Sequence, residues 1–125
     1  MAIVGESGCG KTTLGRAIIG LIKPSAGQIR WHGVEMVPGK PGRPGIQMIF
    51  QDPFGSLNPR FNIAQVIDEP LVVQKIGTKA EQDQRVRTLI AQVGLSADAL
   101  LRYPRQFSGG QRQRIAIARA LAPEP

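Results

Sequence analysis

Gly5-Glu6-Ser7-Gly8-Cys9-Gly10-Lys11-Thr12 constrains this chain more than any other stretch, because its spacing is that of a loop wrapped around phosphate. Glycines at 5, 8 and 10 permit tight turns and a close approach of backbone to an anion. Successive backbone N–H groups can then surround the phosphate. Lys11 supplies a mobile positive charge for the terminal phosphates, and Thr12 supplies a hydroxyl ligand for Mg2+. Ala2-Ile3-Val4 reads as the end of a buried strand entering the loop. Thr13 to Leu21 reads as the helix leaving it, with its N-terminus favouring the phosphates. Ile18, Leu21 and Ile22 are expected to face a sheet, and Lys23-Pro24-Ser25-Ala26-Gly27 ends the helix. The fold class implied is an α/β P-loop nucleotide-binding fold, with ATP the expected nucleotide. Glu6 is a poor candidate base, since its charge would sit near phosphate oxygens. Cys9 has two readings, a thiol activated by amides and Lys11 or a small residue tolerated in the loop.

The rest of the chain bounds the function. Its 125 residues suffice for one small domain. A hydrophobic content of 42% suits a globular chain. No run approaches the length needed to cross a bilayer, and the first residues lack the basic-then-apolar pattern of a secretory signal. Cys9 is the only cysteine, so no internal disulfide can form. The formal charge of +7 permits nucleic-acid binding, but the basic residues are scattered from Lys11 to Arg119. Without a basic patch on one face, no nucleic-acid partner is expected.

Gly27 to Gly33 reads as a strand ending in a turn, with His32 a surface turn residue and Trp31 either a stacking or a packing residue. Pro38 to Pro44 reads as a loop. Ile46-Gln47-Met48-Ile49-Phe50 reads as a buried strand. Gln51 then lies at a strand's C-terminal end, where open α/β sheets place functional groups. Asp52 to Arg60 is an irregular connection. Asn62 is a candidate cap for a helix starting near Ile63. Lys79 to Val93 has a helical pattern, with Val86, Leu89, Ile90 and Val93 apolar and Gly94 ending it. Ser96 and Asp98 open a shorter helical piece carrying Leu100 and Leu101. Asp52, Asp68 and Glu69 are read as capping or surface carboxylates.

Tyr103-Pro104-Arg105-Gln106-Phe107-Ser108-Gly109-Gly110-Gln111-Arg112-Gln113-Arg114 precedes a helix running through Leu121. Ser108 can cap that helix, and the glycines leave N–H groups open to an anion. Arg112 and Arg114 can be solvated helix charges. Together, the two glycine-rich motifs resemble the nucleotide-binding domain of ABC transporters, across essentially the whole chain. Ser108-Gly109-Gly110-Gln111 is similar to the family signature, with Phe107 where leucine is more usual. Asp52 to Arg60 and Tyr103 to Gln111 look like the oligopeptide and dipeptide importer branch.

The resemblance implies roles that periodicity does not. Gly5, Ser7, Gly8, Cys9, Gly10, Lys11, Thr12 and Thr13 would hold the phosphates of one ATP. Gln51 would join Thr12 at magnesium and, with Lys11, serve catalysis. Ser108, Gly109, Gly110 and Gln111 would complete the ATP site of a second ATP-binding subunit in a head-to-tail dimer. The implied organisation is a partial ATP-binding core over 1–61, a helical subdomain over 62–107, and the signature with its helix over 108–125. Further implied partners are transmembrane permease subunits and, indirectly, a substrate-binding protein. The place of action would be the cytoplasmic face of the plasma membrane, as a peripheral subunit.

The loop's position near Met1 and the stop at Pro125 give the expectation of a fragment. It would lack the acidic strand that supports magnesium, and alone would be inactive and marginally folded. Two other readings share these motifs, a soluble ATPase of the same family in DNA repair or translation and a nucleotide-binding module without turnover.

Overall fold

The computed structural model describes residues 2–36, 45–50 and 55–125. The chain falls into two compact units, Met1–Met48 and Ile49–Pro125.

The first unit carries the phosphate loop, the helix α1 (Lys11–Ile18) and a hairpin of β1 (Arg30–Trp31) and β2 (Val34–Glu35). The hairpin is antiparallel, pairing Arg30 with Glu35 and Trp31 with Val34. His32 and Gly33 form its turn with φ of 48° and 80°. Two consecutive positive φ values match the twist of the flanking strands, which is why glycine occupies one of them. His32 is thus the exposed turn residue expected, its ring edge-on to Trp31 with centroids 4.7 Å apart.

Three expectations change here. Residues 2–4 are exposed and form no strand, with Val4 92% exposed. Residues 46–50 also form no strand; Ile46 and Met48 are half-buried, while Ile49 and Phe50 are exposed. An apolar run becomes a strand only when a neighbour pairs with its N–H and C=O groups, and among the described residues neither run has such a ladder. The helix after the loop ends at Ile18 rather than Leu21. Gly20 turns the chain at φ 83°, and the Leu21 N–H closes back on the Arg16 carbonyl at 2.8 Å. This is the usual left-handed helix stop. Ile18 and Ile22 are half-buried and Leu21 points out.

The second unit is helical: α2 (Ile63–Gln74), α3 (Lys79–Gln92), the 3-10 turns Ala97–Leu101 and Pro104–Gln106, and α4 (Gly109–Leu121). Each α-helix opens with a reciprocal cap. Asn62 accepts from the Gln65 N–H while the Gln65 side chain accepts from the Asn62 N–H, and Thr78 with Glu81 and Ser108 with Gln111 repeat the pattern. Such a cap is worth about 1 kcal/mol. Gly94 ends α3 at φ 74°, as expected. Lys75 ends α2 in the same left-handed region without being glycine.

Spacing of three and four residues puts Ile63, Val66, Ile67 and Leu71 on one face of α2. Val86, Leu89 and Ile90 line α3, and Ile115, Ala116 and Ala118 line α4. These faces close on one core with Leu57, Leu100 and Phe107. Val93 is only half-buried at its edge. In the 3-10 turn Leu100 enters the core while Leu101 is exposed. Asp68 and Glu69 form ion pairs, but Asp68 is not the surface carboxylate expected, its side chain being only 14% exposed: Lys79 bridges Asp68 and Asp83 at 2.8 Å each, and Glu69 meets Arg119 at 3.3 Å.

The cap of α3 makes a pH prediction. Hydrogen bonds from the Thr78 N–H and then its hydroxyl hold the Glu81 carboxyl below the ordinary glutamate range. A depressed carboxyl stabilises the fold fully above its unfolded-state pKa, and the contribution disappears as pH falls through the folded value. Acid titration should therefore fray the start of α3 below the ordinary glutamate range, and Glu81→Gln should flatten that response. Amide exchange at residues 79–83 against pH measures it.

Candidate functional site

Local geometry of the phosphate loop follows from its glycines. Gly8 and Gly10 take φ of 85° and 95°, a region that costs any residue with a Cβ about 1 kcal/mol or more. Gly5 is constrained differently, since a Cβ there would stand 2.6 Å from the Cys9 sulfur. Cys9 is thus a packing neighbour of Gly5, and its exposed thiol lies 3.4 Å from the Lys11 ammonium. Lys11 folds back into the loop, donating to the Gly5 carbonyl at 2.7 Å and the Glu6 carbonyl at 2.5 Å. A phosphate oxygen can replace either carbonyl as acceptor with little movement of the chain, and its charge makes the new bond stronger.

Beyond the loop, α1 begins with Gly10 as its cap and no side chain bonded to its first turn. Its first backbone bond runs from the Leu14 N–H to the Gly10 carbonyl at 2.9 Å. The N–H groups of Lys11, Thr12 and Thr13 precede that bond and remain donors for an anion. Thr12 and Thr13 are exposed in this turn, as are Ser7 and Gly8 before it. Gly5, Glu6, Cys9 and Lys11 are therefore brought together within the loop. Gln51 lies outside the described residues, with Asp52. Among the described residues, no group of three His, Cys, Asp or Glu side chains could hold a metal ion.

The second glycine motif starts α4. Ser108 accepts from the Gln111 N–H at 3.3 Å, and the Gln111 side chain accepts from the Ser108 N–H at 3.0 Å. The Gln111 amide is committed to this cap. Gly109 and Gly110 occupy the first two helical positions, where N–H groups have no intrahelical acceptor. Both are exposed, and a Cβ on either would meet nothing within 4 Å. Packing therefore does not require glycine at either position, and the bare backbone leaves both N–H groups accessible to an anion.

Two arginines around this turn carry roles that their sequence positions did not suggest. Arg112, a solvated helix charge on sequence grounds, is half-buried and donates from Nε to the Phe107 carbonyl at 2.9 Å. Arg102 donates from Nη2 to the Gln106 carbonyl at 2.7 Å. Its guanidinium also lies 4.4 Å from the centroid of the buried Phe107 ring. An aromatic residue five positions after an arginine is a weak signal, visible only once the intervening turn is known.

A phosphate loop feeding a helix, in a chain that also carries a helical unit with its own open N-terminus, defines a P-loop nucleotide-binding protein of mixed α/β architecture. The ABC transporter family model matches residues 1–125, and the chain belongs to that family. It is 50% identical over 130 residues to a putative peptide import ATP-binding protein of Brucella ovis. It is 51% identical over 131 residues to an oligopeptide transport ATP-binding protein of Haemophilus influenzae, and 50% identical to that of Escherichia coli. All of the chain is covered in each case, but only 41%, 40% and 39% of those relatives. The chain thus spans about two fifths of the length of the curated relatives it matches.

Among solved structures, it is similar to the ATP-binding cassette MJ0796, determined as a dimer in a post-hydrolysis state bound to ADP and Pi. That match has a TM-score of 0.77 and 27% identity, covering 96% of this chain and 54% of the other. Family and fold imply ATP binding. No described helix is long and apolar enough to cross a membrane.

Proposed function

We propose that this chain forms the ATP-binding part of an ATPase subunit that energises import of peptides through a membrane complex. The carrying observation is the pairing of an uncapped α1 behind the Lys11 loop with the bare Gly109-Gly110 start of α4. Each offers free backbone donors to phosphate. In this reading Gly5 to Thr13 bind the phosphates of one ATP, Thr12 and Gln51 hold Mg2+, and Lys11 and Gln51 serve phosphoryl transfer. Ser108 to Gln111 close the nucleotide site of a second ATP-binding subunit, head to tail.

Magnesium held by Thr12 and Gln51 would supply neutralisation of phosphate charge, while the chain's own residues position the nucleotide. The organisation proposed is the core at 1–61, the helical subdomain at 62–107 and the signature helix at 108–125. Permease subunits and, through them, a substrate-binding protein are the further partners, with the subunit peripheral at the cytoplasmic face. Peptide as cargo is supported by the names of the relatives. The family membership supports the ATP-driven mechanism.

Gly110→Asp tests the second half-site with little expected disturbance of the fold, because a Cβ added there meets nothing within 4 Å. A carboxylate there repels phosphate. Steady-state ATP hydrolysis by the full-length subunit in its complex should fall by about two to three orders of magnitude, as for loss of one phosphate-stabilising donor. Nucleotide binding by the phosphate loop of the isolated subunit should be unchanged. Unaltered hydrolysis would remove Ser108 to Gln111 from the nucleotide site.

A further inference from the structure

The turn that carries Ser108 is held from outside the nucleotide-binding motif. We propose that Arg102 is a positioning residue for this turn, acting through the Phe107 ring and the Gln106 carbonyl to fix where the Gly109 and Gly110 amides point. The inference rests on the reading of Ser108 to Gln111 as a phosphate-binding turn.

Arg102 is anchored at both its ends. Its backbone carbonyl accepts from the Ile63 N–H at 2.9 Å, which ties it to the first residue of α2. Its side chain spans Tyr103 to Phe107, bonded to the Gln106 carbonyl at 2.7 Å and stacked on the Phe107 ring at 4.4 Å. Phe107 is in turn 4% exposed, seated in the core, and its carbonyl accepts from Arg112 on α4. The residue just before Ser108 is therefore gripped from two directions, by Arg102 and by Arg112. Leucine at 107 would fill the core but would offer no π face to the guanidinium, so the two residue choices belong together. An aromatic ring with an arginine over it holds direction as well as volume. That is what a turn needs when its N–H groups must meet an anion in one orientation.

The test uses the full-length subunit, with Arg102→Ala, Arg102→Lys, Phe107→Leu and the double variant Arg102→Ala/Phe107→Leu. Amide exchange at Gln111 and Arg112, whose N–H groups bond to Ser108, reports the turn without any nucleotide. Nucleotide-driven association of two subunits reports its function. Arg102→Ala should speed exchange at both amides and raise the ATP concentration needed for association about tenfold, with binding at the phosphate loop within twofold of the unaltered protein. Arg102→Lys should recover part of the loss, since it keeps a cation but not the planar fork.

Phe107→Leu should cost about two- to fivefold, the size of a cation–π contact at a partly exposed site. Arg102→Ala should cost correspondingly less in that background, because residues in contact couple. Additive losses, or unchanged exchange at Gln111 and Arg112, would overturn the proposal. If the unaltered protein shows no ATP-driven association, the half-site reading fails. The exchange data then still decide whether Arg102 holds the turn.

Discussion

Lys11→Ala should reduce ATP hydrolysis by the full-length subunit by two to three orders of magnitude. Three features of the loop set that expectation. The ammonium sits within the loop, 2.7 Å from the Gly5 carbonyl and 2.5 Å from the Glu6 carbonyl, so its position is determined by backbone rather than by a mobile neighbour. Its alternative acceptors, phosphate oxygens, carry full charge, and hydrogen bonds between charged groups contribute about 1.5–3 kcal/mol where neutral ones contribute about 1. The charge on the transferring phosphoryl group redistributes as the reaction proceeds, so a fixed cation acts more on the transition state than on bound ATP; losing one such donor typically costs about 10²–10³ in rate.

Binding should therefore weaken less than turnover, by about tenfold, when a fluorescent ATP analogue is titrated. Lys11→Arg should not restore activity, because a planar guanidinium cannot reproduce a compact point charge among carbonyls. Hydrolysis within threefold of the unaltered protein in Lys11→Ala would dismiss Lys11 from catalysis. A melting temperature unchanged by the substitution would show that the loss is chemical, since Lys11 contacts only loop atoms in the described bonds.

What could be read from the residues divides along a physical line. Elements set by neighbours in sequence were legible. The Asn62 and Ser108 caps, the Lys79 helix with its Val86, Leu89 and Ile90 face, the Gly94 stop and the His32-Gly33 turn all depend on interactions within a few residues. The turns of the phosphate loop were legible for the same reason, because they follow from the order of its glycines. Strands were not. Ile3-Val4 and Ile46–Phe50 have strand composition, but a strand is completed by a partner elsewhere, and apolar runs carry no record of that partner. Leu100 and Leu101 show the same limit: adjacent identical residues, one buried and one exposed, distinguished only by how the 3-10 turn meets the core. The Arg102 and Arg112 contacts were hidden because long side chains choose acceptors in three dimensions. The Lys11–carbonyl bonds were hidden for that reason too.

The largest stability effect expected in the helical unit comes from Ile67→Ala. Ile67 is fully buried at the middle of α2, on the face that packs with both α3 and α4. Truncation removes three carbon atoms from a site walled by other helices, and a site enclosed on several sides cannot collapse to fill the gap. Removing a buried isoleucine side chain to alanine costs about 2–5 kcal/mol, of which the cavity left behind is a substantial part. Alanine is a better helix former than isoleucine, but that gain is only a few tenths of a kcal/mol and cannot offset the loss.

Against a total stability of about 5–15 kcal/mol for a domain, a loss of this size should lower the urea midpoint clearly with little change in slope. The neighbouring Val73 provides the internal control. It lies on the same helix but is 74% exposed, so Val73→Ala should change stability by less than about 0.5 kcal/mol. Equal effects at the two positions would mean that the α2 face assigned to the core is not the buried one. A large effect at 67 that also abolished ATP-driven association would be consistent with α2 supporting the turn at Ser108, since the Ile63 N–H to Arg102 carbonyl bond links that helix to the segment holding Phe107.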